Sequence, residues 1–178
     1  RRQRQMCIRD RYRYVDQKTA AAEKLAYVDP ATGRFVMRVD SQGPAVPISK
    51  AIQTPGRKSV RIHSKQLFDD MLLIAKVTRM PEGCGTWPAL WSTSRGDSWP
   101  RYGELDLIEG VNGQGKNQVS MHTTNGCSLP QNINNTQTGS SRQMNCAYQP
   151  GCSTTLDSNV SFGSAFNEKY VQYALDCS

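Results

Sequence analysis

The sequence has no apolar run approaching the roughly 20 residues that a membrane-crossing helix needs. Its longest candidate, Met71 to Val77, is broken by Lys76. A spanning helix is excluded on that count, and no membrane partner is expected. Patterns for binding metal through sulfur are missing too. The six cysteines, Cys7, Cys84, Cys127, Cys146, Cys152 and Cys177, form no CxxC pair, and only two histidines accompany them. No metal site is expected from that set. Helical periodicity is nearly absent; the best candidate, Gln17 to Leu25, is Ala-rich but short. No internal repeat is evident. Nor does the composition of the 178 residues, 37% of them hydrophobic, carry a bias toward disorder or fibre, so one domain around one core is the expectation.

The formal charge of +7 would fit a nucleic-acid partner if it were spread over a face. It is not. Arg1, Arg2, Arg4, Arg9, Arg11 and Arg13 against the single Asp10 leave +5 of the +7 within the first 13 residues. Residues 1–13 therefore read as a basic arm outside the fold, residues 14–178 as the domain, and no nucleic acid is expected to bind.

Cys127, Cys146 and Cys152 fall in a stretch rich in Asn, Ser, Thr, Gln and Gly, where a cross-link would offset the entropy of a long polar loop. That predicts an oxidising compartment and a secreted, extracellular protein. Two glycosylation sequons, at Asn134 and Asn159, point the same way. The chain does not begin with Met and shows no signal peptide, so it reads as a processed or partial sequence.

Alternation with a period of two dominates what is present. Arg34 to Asp40, Arg57 to Ser64 and Gln118 to Thr123 alternate apolar with polar residues, as half-buried strands do. Met71 to Val77 and Tyr170 to Leu175 read as strands buried on both faces. Glycines and prolines punctuate the intervals, an organisation that favours an all-β sandwich or barrel. Ser128 to Ser161, poor in apolar residues, reads as a stapled surface excursion.

The segment that carries chemistry is Gly103-Glu104-Leu105-Asp106-Leu107-Ile108-Glu109-Gly110. In a regular strand Glu104 and Asp106 share one face while Leu105 and Leu107 take the other. Glu109, five positions from Glu104, has the wrong parity. Two successive apolar residues, Leu107 and Ile108, stand where alternation expects one, and a one-residue β-bulge there would return Glu109 to the acid face. The two Glu Cα atoms would then stand roughly 13 Å apart, a span that inward-leaning side chains reduce toward the roughly 5 to 5.5 Å carboxyl separation of a retaining glycosidase. Clustered acids divide labour, one donating a proton while its neighbour stays ionised. An exposed polar face on an edge strand is the competing reading, although strands are depleted in acids.

The turn signals Asn112-Gly113 and Gly115 fold the next segment back antiparallel, and a turn centred near Gln114 sets His122 across from Asp106 as a supporting hydrogen-bond partner. A purely structural histidine is the alternative. All three tryptophans, Trp87, Trp91 and Trp99, fall just before the acids, where their faces could stack on sugar rings. Trp87 and Trp91 are also candidates for the core, while Trp99, beside Asp97, Ser98 and Pro100, is placed in a loop.

Taken together, Gly85-Thr86-Trp87-Pro88-Ala89-Leu90-Trp91, Trp99-Pro100, Gly103 to Asn112 and His122-Thr123 resemble glycoside hydrolase family 16, nearest to fungal endo-1,3(4)-β-glucanases or laminarinases. The resemblance runs from about Tyr14 to Ala174. It implies a β-jelly-roll sandwich of antiparallel sheets with a concave cleft, incomplete here at its C-terminal end. It further implies Glu104 as nucleophile, Asp106 as its helper, Glu109 as general acid/base, and the motif ExDxxE as the bulged variant. Gly56-Arg57-Lys58-Ser59-Val60-Arg61-Ile62 resembles a family strand that would set Arg61 at the glycone side, and Asn112 joins the expected substrate contacts. The expected activity is retaining hydrolysis of β-1,3 or mixed β-1,3/1,4-glucan by a monomer, with a polysaccharide as its partner and no cofactor. A transglycosylase on the same scaffold and a non-catalytic carbohydrate-binding jelly roll are the alternatives.

Overall fold

A computed structural model describes residues 12–43, 56–81, 86–96, 98–111, 115–131, 139–156 and 176–177. The chain divides into two compact units, residues 1–74 and 75–178, where the sequence suggests one core.

In the first unit, β1 (Tyr12–Tyr14) pairs in parallel with β4 (Arg57–Ser59), and β2 (Ala26–Val28) forms an antiparallel pair with β3 (Phe35–Met37). β1 thus begins at Tyr12, inside the segment expected to lie outside the fold; residues 1–11 lie outside the described residues. Helix α1 (Gln17–Ala22) forms where the alanines predict it. Asp16 caps it by accepting from the Thr19 amide at 2.7 Å, and this bond holds the Asp16 carboxyl below its ordinary pKa. Ala20 and Leu25 are its buried contribution.

The second unit is built on a five-stranded sheet of order β5-β6-β7-β10-β9: β5 is Ala89–Thr93, β6 Glu104–Glu109, β7 Gln118–His122, β9 Ser140–Gln143 and β10 Cys152–Thr155. Every pairing in it is antiparallel. A short antiparallel pair, β8 (Cys127–Ser128) with β11 (Asp176–Cys177), completes the described strands. One face of the sheet carries the apolar side chains. Met121, Leu129, Cys146 and Cys152 form a buried cluster against which Leu105, Cys127 and Met144 pack.

Two expectations are corrected. Met71 to Val77 forms no strand, and Met71, Leu72, Leu73 and Ile74 are exposed; a strand buried on both faces needs neighbours on both edges, and none of the described residues supplies them. The polar stretch after Ser128 is not a surface excursion, because β9 and β10 complete the main sheet. Serine and threonine fill strands well when they face a polar neighbour, and here Cys146, Cys152 and Leu156 supply the buried apolar side. The staple itself is present, linking Cys146 to Cys152. Tyr170 to Leu175 and both sequons lie outside the described residues.

Candidate active site

Strand β6 reads Glu104-Leu105-Asp106-Leu107-Ile108-Glu109. Alternation sets Glu104 and Asp106 on one face and Leu105 on the core face. Across on β7, the partners of Asp106 and Glu109 are Ser120 and Gln118, two residues apart against three on β6. On the other flank, Leu90 and Trp91 of β5, adjacent in sequence, oppose Ile108 and Asp106. Leu107 is therefore surplus against both neighbours. This is the expected bulge, and it returns Glu109 to the face of Glu104 and Asp106.

A bulge frees backbone groups from the ladder, and here one side chain takes them up. The Asn117 amide donates to the Leu107 carbonyl at 3.0 Å, and its oxygen accepts from the Glu109 N–H at 3.0 Å. Asn117 is itself buried. It satisfies both groups where a ladder partner is missing, and so fixes the backbone from which Glu109 projects.

His122 stands directly opposite Glu104, and Ser120 opposite Asp106. The expected pairing of His122 with Asp106 is off by two residues for two reasons. The turn is centred slightly earlier than Gln114, as the Glu109–Gln118 pair requires, and the bulge consumes one further residue of β6. The side chains still meet: His122 Nε2 lies 3.5 Å from Asp106 Oδ2.

All four groups are buried, with relative exposures of 6% for Glu104, 2% for Asp106, 7% for Glu109 and 1% for His122. Buried carboxylates are costly unless donors reach them, which removes the reading of an exposed polar face. Trp99 Nε1 donates to Glu104 Oε2. Trp87 Nε1 donates to Glu109 Oε1 at 3.2 Å, and Ser120 Oγ donates to Glu109 Oε2 at 2.8 Å. Gln118 Nε2 in turn donates to Ser120 Oγ at 3.0 Å. Glu104, Asp106 and His122 bring ligand-type atoms within 4.8 Å of one another, and among the described residues this is the set whose spacing could admit a cation.

Trp99 reaches Glu104 because the chain between β5 and β6 is tightly turned. The Arg101 amide donates to the Ser98 carbonyl at 2.7 Å and the Gly103 amide to Pro100 at 2.8 Å. Gly103 enters β6 at φ +83°, a conformation that favours glycine. The indole also lies 5.6 Å, centroid to centroid, from the His122 ring. Trp91 is half-buried on β5 opposite Asp106. Arg61 belongs to the first unit, exposed beyond the end of β4, and Asn112 lies outside the described residues.

The family described as "XgeA-like, catalytic GH16 domain" matches residues 10–176. The chain belongs to glycoside hydrolase family 16. Among family 16 relatives, an endo-1,3(4)-β-glucanase of Arthroderma benhamiae is 39% identical over 127 residues, covering 68% of this chain and 27% of that enzyme. A solved mutant of laminarinase 16A that cyclizes laminariheptaose superposes with a TM-score of 0.76 at 38% identity, over 92% of this chain and 53% of that one. A solved elongating family 16 β-1,3-glucosyltransferase superposes at 0.68 with 35% identity, over 88% and 50%. The chain spans about half the length of these solved family 16 proteins. The all-β class expected from the alternating strands and the jelly roll implied by the family resemblance are both what these solved proteins share.

Three residues of this family 16 site escape a reading by motif. Ser120 and Asn117 lie on or beside β7, where period-two alternation places Ser120 on the acid face but gives it no role, and Asn117 reads only as the start of the returning strand. Tyr148 reaches His122 only through its main-chain carbonyl, for which a sequence carries no signal.

Proposed function

We propose that the chain carries the catalytic centre of a retaining endo-glycosidase acting on β-1,3- or mixed β-1,3/1,4-glucan. The observation that carries this reading is the bulge at Leu107, which gives two buried glutamates a shared face and each its own donors. Glu104 attacks the anomeric carbon, and the Trp99 N–H engages its Oε2. Glu109 protonates the departing glycosidic oxygen, then takes a proton from the water that cleaves the glycosyl-enzyme bond. Ser120 suits both stages of Glu109, because its hydroxyl can donate to the carboxylate and, rotated, accept from the acid. Asp106, between the glutamates and against His122, supports the nucleophile. Trp87, Trp91 and Trp99 are proposed to contact the glucan.

In the full-length enzyme, Glu104→Gln is expected to lower hydrolysis of laminarin by about 10⁴-fold or more, with circular dichroism unchanged; retained hydrolysis would overturn the assignment of Glu104, and wild-type binding of laminarin with no product would leave a carbohydrate-binding role. A second reading, sugar transfer on the same glutamates, is favoured by the likeness to a glucosyltransferase. Product chromatography with an added oligosaccharide acceptor separates the two. The Cys146–Cys152 disulfide supports placing the protein outside the cell.

A further inference from the structure

The ring of His122 is enclosed by a single short loop. Residues 146–152 leave the edge of the sheet and return to it as β10, and a disulfide closes them end to end. Both cysteines are fully buried. The loop is tied to the residues that flank His122 on β7. The Thr123 amide donates to the Cys146 carbonyl at 2.8 Å and the Tyr148 amide to the Thr123 carbonyl at 2.8 Å, while Cys152 pairs with Met121 in the ladder. Between these anchors Tyr148 takes a left-handed φ of +49°, and Gly151 one of +75°. A side chain at Gly151 would meet the Met121 carbonyl at 2.3 Å and His122 Nδ1 at 2.5 Å.

The left-handed turn at Tyr148 presents its carbonyl to His122 Nδ1 at 2.8 Å. A carbonyl can only accept, so Nδ1 carries a hydrogen. Nε2 then faces a carboxyl oxygen, 3.5 Å from Asp106 Oδ2. Without the Tyr148 carbonyl the hydrogen of neutral imidazole is free to move to Nε2, and the ring is free to turn. We propose that the disulfide-closed loop 146–152 is a positioning element: it fixes the tautomer and orientation of His122, and through them the carboxyl of Asp106 between the two glutamates. This inference rests on the proposed roles of Glu104, Asp106 and Glu109. The contributing atoms are backbone, from Tyr148 and Gly151, which is why closure of the loop rather than any one side chain carries the effect.

The test uses the full-length enzyme as wild type, as Gly151→Ala and as the double variant Cys146→Ala/Cys152→Ala. Three quantities are measured: kcat and KM on laminarin, the thermal midpoint, and the ¹⁵N resonances of His122 assigned by their loss in His122→Gln. The wild type is expected to show a protonated, pyrrole-type Nδ1; a pyridine-type Nδ1 overturns the proposal whether or not either variant folds. Each folded variant is expected to lose about 10²-fold in kcat, the scale of a misplacement of about 1 Å, with KM within about twofold and the Nδ1–H signal mixed or lost. A folded variant with native kcat, or with a native His122 spectrum despite a lowered kcat, overturns it. The glutamate roles fail separately, through Glu104→Gln, and that failure leaves the resonance test standing.

Discussion

Glu109 is gripped through both carboxylate oxygens, by the Trp87 indole on Oε1 and the Ser120 hydroxyl on Oε2. An acid/base of the kind proposed for Glu109 is useful only at a fixed angle to the substrate, and two donors from different parts of the chain fix that angle better than either alone. Trp87→Phe keeps the ring and removes the N–H; Ser120→Ala removes the hydroxyl. Each is expected to lower kcat on β-glucan by about tenfold, less than the roughly 10²- to 10⁴-fold of general acid–base catalysis as a whole, because the other donor remains. The double variant should fall short of their product, because both act on one carboxylate. A full kinetic cycle checks this, and strict multiplicativity would show that the two donors act independently. The acids were legible in the sequence because Leu107-Ile108 breaks the alternation in a way that one bulge repairs. The tryptophans were legible as neighbours of the site. What they do there was not, since residue type cannot tell whether an indole presents its face to a sugar or its N–H to a carboxylate.

At the scale of the element, the bulge and Asn117 form one device. Asn117→Ala would leave the Leu107 carbonyl and the Glu109 N–H without their partner, at about 1–3 kcal/mol for each buried group left unpaired. Deleting Leu107 removes the need for the clamp. Glu104, Asp106 and Glu109 would then stand two apart on one face, and the pairs Glu104–His122, Asp106–Ser120 and Glu109–Gln118 would fall in one unbroken register. The expected outcome is that Asn117→Ala alone is strongly destabilised in urea denaturation, while in the Leu107-deleted background the same substitution costs little. Equal costs in both backgrounds would mean that Asn117 does not serve the bulge. The period-two pattern revealed strands β3, β4 and β7 and the hairpin beyond Glu109, but not the exact pairing, because register depends on how many residues the bulge and turn consume. β9 and β10 were missed for a different reason: a strand of Ser, Thr, Arg and Gln declares itself only through its neighbours.

For the whole molecule, alternation and turn signals were enough to read an all-β class, while its division into two units rests on contacts between residues distant in sequence. The segment from Met71 to Val77 marks the limit of such reading. Its apolar pattern asks for a buried strand, yet Leu72 and Ile74 are 86% and 77% exposed. Single exposed leucines are ordinary, but a run of large apolar side chains open to water is rare in monomeric proteins and drives association. The solved relatives are about twice as long as this chain. The 178-residue chain produced alone is therefore expected to bind a hydrophobic dye and to self-associate as its concentration rises in sedimentation velocity. Leu72→Lys with Ile74→Lys should suppress both effects, since two charges at the centre of the run make its burial against a second copy costly. A chain extended to the length of its relatives should sediment as a monomer without those substitutions. If the short chain stays monomeric and dye-free, the exposed segment needs no cover; if the lysine variant associates as before, contact lies elsewhere on the surface.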